Sequence, residues 1–210
     1  VLIERNAYLG GEATHSGVGA FCGFTTCGKN PVRVVEGAGS LVLAELEKLG
    51  APAQNRLSAS DNWNISFQPE YLKCALDHLL QNLQADLFLH SPVIGAQTEK
   101  NRICALNCVD DEGMFEIRAK AFVDASGDAN LARLAGAKVM WGDAQGRVQA
   151  ASLPFRLSGV DITKDMSPAA VKCAVEQARN AGMEHLPRES GFLLTLEGSQ
   201  VVCALIPSVM

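Results

Sequence analysis

Basic side chains are in short supply: 18 Lys and Arg stand against 23 Asp and Glu, a net charge of −5. A nucleic-acid surface needs clustered cations to displace the counterions of the phosphates, and no basic stripe is visible, so a general nucleic-acid partner is excluded. Long apolar runs are also missing. The best of them, Leu41 to Leu46 and Val201 to Ile206, are too short or too interrupted to cross a bilayer, and no signal-peptide pattern opens the chain. Cysteine is neither dense nor regularly spaced: seven residues, an odd number, suit a reducing compartment, mostly free thiols and a cytoplasmic location. There is no P-loop, no Ser-His-Asp order and no repeat, and neither closely spaced Cys pair brings the further ligands that a metal site needs.

What remains is ordinary globular material, 210 residues of which 48% are hydrophobic and 20% charged, enough for a substantial core in one or two domains. The organising stretch is the first one, VLIERNAYLGGEAT. Val1-Leu2-Ile3 is a strand-like run that stops at Glu4, a carboxylate at the carboxyl end of the expected strand. Ligands of open parallel sheets lie off those ends, where an acidic residue can accept hydrogen bonds from both hydroxyls of a ribose. Gly10-Gly11 follows, removing side chains where a backbone has to approach a bulky ligand. On these residues alone a buried strand, a solvated Glu and a turn is the simpler account.

Periodicity supplies the frame. Apolar residues at Ala38, Leu41, Val42, Leu46 and Leu49 predict a helix over Gly37 to Leu49, with Glu45 falling inside the stripe. Gly50 to Ser60 carries the turn formers that end it, and Trp63 to Phe67 reads as a short strand. Pro69 opens a second helix running to about Leu83, with Leu72, Ala75, Leu76, Leu79 and Leu80 on one face. It feeds a strand over Asp86 to His90 in a return of the βαβ kind. Pro92 to Glu99, Arg102 to Asp110 and Met114 to Ala119 read as three antiparallel strands, the last two joined by the turn Asp110-Asp111-Glu112-Gly113. Ala121 to Asp124 is expected as a buried strand running through Ser126-Gly127-Asp128 into a helix over Ala129 to Ala135, with Asp128 as its cap. From Gln149 the texture changes. A strand over Ala151 to Leu157, a helix over Pro168 to Gly182 and a hairpin of Phe192 to Leu196 with Val201 to Ile206, turning at Glu197-Gly198-Ser199, complete the pattern.

The run ERNAYLGGEAT together with AFVDASGDANLARLAG at Ala121 to Gly136 resembles the FAD-dependent oxidoreductases of the glutathione-reductase-like superfamily, in the branch related to succinate dehydrogenase and fumarate reductase flavoproteins. Two spaced motifs in the right order are far more specific than either alone. The resemblance implies an α/β fold, an FAD-binding Rossmann-like parallel sheet with a three-stranded β-meander, followed by the start of a substrate domain. It implies FAD as cofactor, an organic small molecule as substrate, and hydride transfer between the two. Cofactor contacts would fall to Glu4 on the adenosine ribose, to Gly10, Gly11 and Thr14 along the pyrophosphate and flavin, to the main chain of Val93 at the adenine, and to Ala125, Ser126 and Gly127 closing over the nucleotide. From the residues alone, Val93 would be a core position.

The family opens with a strand and a G-x-G-x-x-G turn about 20 residues before the acidic strand end, and here that strand begins at residue 1. The expectation is therefore an internal piece of a longer protein, with residues 1–148 the FAD-binding domain and 149–210 the start of the substrate domain. Two other functions stay open. Cys22 and Cys27 have the C-x-x-x-x-C spacing of flavin-linked disulfide reductases, although loop-packed free thiols are the commoner fate of such cysteines. A non-catalytic binding protein that keeps the fold is the other. His15 reads as a polar loop residue rather than a flavin attachment point, and no residue is assigned as catalytic acid or base.

Overall fold

The computed structural model of the chain describes residues 1–58, 62–186, 188–189, 191–196, 198–206 and 208–209. β1 (Leu2–Ile3) leads through a 3-10 turn at Gly11–Ala13 to β2 (Ala20–Cys22), α1 (Ala38–Lys48), β3 (Gln54–Leu57), β4 (Trp63–Ser66) and α2 (Pro69–Asn82). Then come β5 (Leu87–Phe88), β6 (Val93–Glu99), β7 (Arg102–Asp110), β8 (Gly113–Arg118) and α3 (Asn130–Leu134). The chain continues with β9 (Ala151–Ser152), β10 (Phe155–Leu157), α4 (Pro168–Asn180), β11 (Phe192–Thr195), β12 (Val202–Leu205) and β13 (Ser208–Val209). These elements form a mixed α/β structure of two compact units that do not follow chain order: Val1–Tyr8 joins Gln84–Gln149, and Leu9–Leu83 joins Ala150–Met210.

In the first unit β1 and β5 run parallel, with Leu2 opposite Leu87 and Ile3 opposite Phe88. The three-stranded meander is present in the order β6-β7-β8. Asp110 closes its second turn, accepting from the N–H groups of Glu112 and Gly113. Its core is Leu106, Cys108 and Leu131, against which Ile3, Val93, Phe115 and Phe122 pack, so α3 is held to the meander through Leu131. The buried strand expected over Ala121 to Asp124 is not formed. That segment belongs to no ladder among the described residues, and Val123 is 88% exposed. An apolar run becomes a strand only where a neighbour satisfies its N–H and C=O groups, and sequence pattern does not supply that neighbour.

In the second unit β4 is the middle of an antiparallel sheet ordered β2-β4-β3. Leu46, Phe67, Leu72 and Ala75 form the core that joins α1 and α2, with Phe21, Val42 and Leu76 around it. α2 is built as its sequence predicts, Pro69 in the first turn and the Gln68 side chain capping the Glu70 N–H. α1 is rotated relative to expectation: Leu41 is exposed, while Glu45, the residue that breaks the stripe, is only 6% exposed. Lys48 at 2.9 Å and His78 at 3.3 Å meet its carboxylate, and the Lys48 hydrogen bond holds that carboxyl below the usual Glu range against the opposing effect of burial. The stretch 50–58, expected as turn, contains the exposed strand β3, which exists because β4 pairs with it from Gln54↔Ser66 to Leu57↔Trp63; residues 59–60 lie outside the described residues. A second antiparallel sheet runs β10-β12-β11. The expected strand over Ala151 to Leu157 is split by Leu153-Pro154 into β9 and β10. The terminal hairpin forms as expected, although Glu197 of its turn lies outside the described residues. No helix among the described residues is long and apolar enough to cross a membrane.

Candidate functional site

The first unit places Glu4 immediately after β1, at the carboxyl end of the parallel pair. Its backbone is fixed on both sides, the N–H donating to the Phe88 carbonyl (2.8 Å) and the carbonyl accepting from the Ser91 N–H (2.9 Å). The carboxylate is half-buried, and its Oε1 accepts from the Asn6 N–H at 2.8 Å. Among the described residues Oε2 has no partner. A strand end this well anchored presents one carboxylate oxygen in a fixed direction, which is what recognition of a sugar hydroxyl requires.

The bend at 124–130 lies in the same unit and is pinned by Asp124, a residue that sequence reasoning placed only as the end of a strand. Asp124 Oδ1 accepts from the Ser126 hydroxyl (2.6 Å) and the Ser126 N–H (3.0 Å), and Oδ2 accepts from the Ala132 N–H (2.9 Å). Ser126 Oγ in turn accepts from the Asn130 N–H at 2.8 Å. Capping of α3 is therefore done by Asp124 and Ser126 and not by Asp128, which the sequence nominates. Asp at i with Ser at i+2 is the signal that could have shown it. These bonds, the Ser126 hydroxyl first, hold the Asp124 carboxyl below its ordinary range. Gly127 has φ 83° with open space where a Cβ would stand. Ala125, Ser126 and Gly127 are all exposed, so the bend offers its backbone to solvent. Val93 opens β6 opposite Cys108, next to a register shift, with its side chain against the core.

The second unit holds the Gly-Gly turn. Gly10 has φ 108°, and a Cβ on it would come within 2.6 Å of both Thr14 Oγ1 and Thr14 Cγ2. Thr14 is 2% exposed and its hydroxyl donates to the Leu9 carbonyl at 2.6 Å, so its side chain is committed to the shape of the loop. Gly11 leaves open space where its Cβ would stand. Further along, the Gly17 carbonyl accepts from the buried Cys203 thiol at 3.4 Å. The guanidinium of Arg156, opposite Cys203 across β10 and β12, lies over the missing Gly17 side chain and pairs with Glu70 at 3.1 Å. The loop is thus braced by residues far along the chain, which no local pattern could reveal.

Cys22 and Cys27 are exposed and free. Each thiol donates to a different amide oxygen, Cys22 to Asn64 (3.1 Å) and Cys27 to Asn62 (2.9 Å). His15 is exposed, and its N–H donates to the Gly11 carbonyl at 2.7 Å. No group of three or more His, Cys, Asp or Glu converges as a metal site among the described residues.

Compared with known proteins, residues 1–199 match the family described as FAD dependent oxidoreductase. No curated protein matches the chain. Because the match covers nearly the whole sequence, the chain belongs to the FAD-dependent oxidoreductase family, and its cofactor is FAD. The first unit has residues that suit that group: a carboxylate at a parallel strand end, anchored through one oxygen with no partner on the other among the described residues, and a small-residue bend at Gly127 with open space beside its backbone.

Proposed function

With family membership as the premise, we propose that this chain binds FAD through Glu4, Gly10, Gly11, Thr14, Val93, Ala125, Ser126 and Gly127, and serves hydride transfer between FAD and a small organic substrate. We place it in the branch related to succinate dehydrogenase and fumarate reductase flavoproteins, with residues 1–148 as a Rossmann-like FAD-binding domain and 149–210 as the start of a substrate domain. FAD, when bound, supplies the two-electron chemistry. The residues of the chain bind and orient it. Glu4 accepts hydrogen bonds from the adenosine ribose, the main chain of Val93 meets the adenine, and the exposed backbone of Ala125 to Gly127 covers the nucleotide. In the second unit Gly10 and Gly11 follow the pyrophosphate and flavin, and Thr14 holds that turn from beneath.

The observation that carries this reading is the carboxylate of Glu4, fixed by the Asn6 N–H through one oxygen and free at the other, at the carboxyl end of β1. The purified protein is expected to be yellow, or to become so with FAD, and to show flavin absorption that survives desalting. Glu4→Ala should weaken FAD binding by about 10-fold or more, the usual worth of hydrogen bonds to a charged acceptor. A colourless full-length protein that takes up no FAD would overturn the proposal. Unchanged affinity in Glu4→Ala would remove Glu4 from it.

A further inference from the structure

The loop that follows α3 in the first unit exposes a group of apolar side chains. Trp141 is 75% exposed, Met140 95% and Val148 58%. They line an open depression of about 460 Å³ together with Asp128 and Arg147. Asp128 belongs to the bend at 124–130, so the depression adjoins the backbone proposed above to cover the nucleotide.

The loop is built to hold this surface in place. Asp143 Oδ1 accepts from the N–H groups of Gln145 and Arg147, both at 2.9 Å, and Oδ2 accepts from Arg147 Nε at 2.8 Å. The Asp143 N–H donates to the Arg147 carbonyl and the Gly146 N–H to the Asp143 carbonyl, each at 2.9 Å. A Cβ on Gly142 would meet the Arg147 carbonyl oxygen at 2.8 Å, so the residue after Trp141 is tightly packed. A closed, cross-braced turn that turns a Trp and a Met outward gives up apolar burial it would otherwise gain. An indole beside a nucleotide-binding bend is suited to stack on a planar heterocycle, with the thioether of Met140 as an adaptable edge contact.

Resting on the FAD reading above, we infer that Trp141, supported by Met140 and Val148, is a stacking platform for one of the two ring systems of FAD. Trp141 is then a positioning residue for the cofactor. Loss of a base–aromatic stack predicts FAD affinity about 5- to 100-fold weaker in Trp141→Ala, with Trp141→Phe within a few-fold of the parent.

The chain has two tryptophans, and Trp63 is tied through its indole N–H to the Gly28 carbonyl. In a Trp63→Phe background, Trp141 is the sole indole emitter and its accessibility to acrylamide can be followed directly. FAD should shield it, along a curve that coincides with FAD binding measured by calorimetry. ADP and FMN separate the two ring systems: shielding by ADP assigns the stack to adenine, shielding by FMN to the isoalloxazine. If FAD binds, Trp141 stays as accessible as before and Trp141→Ala retains full affinity with an unchanged melting temperature, the stacking inference fails while the FAD reading stands. Failure of the parent protein to bind FAD overturns both.

Discussion

Two small-residue bends, one in each unit, stand among the candidate cofactor contacts, and they are held by opposite means. The turn at Gly10–Thr14 is stabilised from within: Thr14 is buried, its hydroxyl spent on the Leu9 carbonyl, and its methyl and hydroxyl fill the space where a Gly10 side chain would be. The bend at 124–130 is stabilised from its surface by one exposed carboxylate, Asp124, and the Ser126 hydroxyl. In sequence both are a glycine among small residues. Physically, one is a packing arrangement, intolerant of added volume and indifferent to mild acid, and the other is an electrostatic arrangement with the reverse sensitivities.

The largest expected effect separates them by volume. Gly10→Ala meets Thr14 at 2.6 Å and sits at φ 108°, combining overpacking with backbone strain, for a loss on the order of 3 kcal/mol in urea or thermal unfolding. Gly127→Ala at φ 83° meets nothing within 4 Å and should cost only about 1 kcal/mol, from backbone conformation alone. Equal losses would mean that packing does not distinguish the bends. Next comes hydrogen bonding. Thr14→Val keeps shape and leaves the Leu9 carbonyl buried without its donor, at about 1–3 kcal/mol. Ser126→Ala loses two exposed bonds, to Asp124 and from the Asn130 N–H, that water can replace, and should cost about 0.5–1 kcal/mol. Parallel chemical denaturation of the two variants checks the order.

The difference between the bends also marks what a sequence makes legible. α2 could be read because its Pro69 and its apolar face are local, and the meander because Asp110 to Gly113 announces its turn. The strand expected at Ala121 to Asp124 does not form, and the unexpected β3 does, for one reason: pairing partners decide strands, and the exposed QNRL of β3 is ordered by β4 rather than by alternation. Glu45 looked like a flaw in a helix stripe until Lys48 and His78 met it in the interior. In the site, Glu4 and the glycines were visible as a motif. The bracing of Gly17 by Cys203 and Arg156 was not, because those contacts join residues far apart in the chain.

The smallest effect is the most specific to the surface bend. The Ser126 hydroxyl, then the Ala132 and Ser126 amides, hold the Asp124 carboxyl below its ordinary value of 3.8. A group whose folded pKa is depressed contributes stability that is fully present above its unfolded pKa and disappears as pH falls through its folded pKa. The contribution is therefore intact at neutral pH, starts to fade as acid protonates the unfolded-state carboxyl near the ordinary Asp value, and is gone only below the folded one. Amide chemical shifts of Ser126 and Ala132, which report their bonds to Asp124, should titrate together with a midpoint under the ordinary Asp value. Asp124→Asn should abolish that titration and loosen the Ser126 and Ala132 amides at every pH. Ser126 and Ala132 amides that titrate as before in Asp124→Asn would mean that this carboxylate does not hold the surface bend.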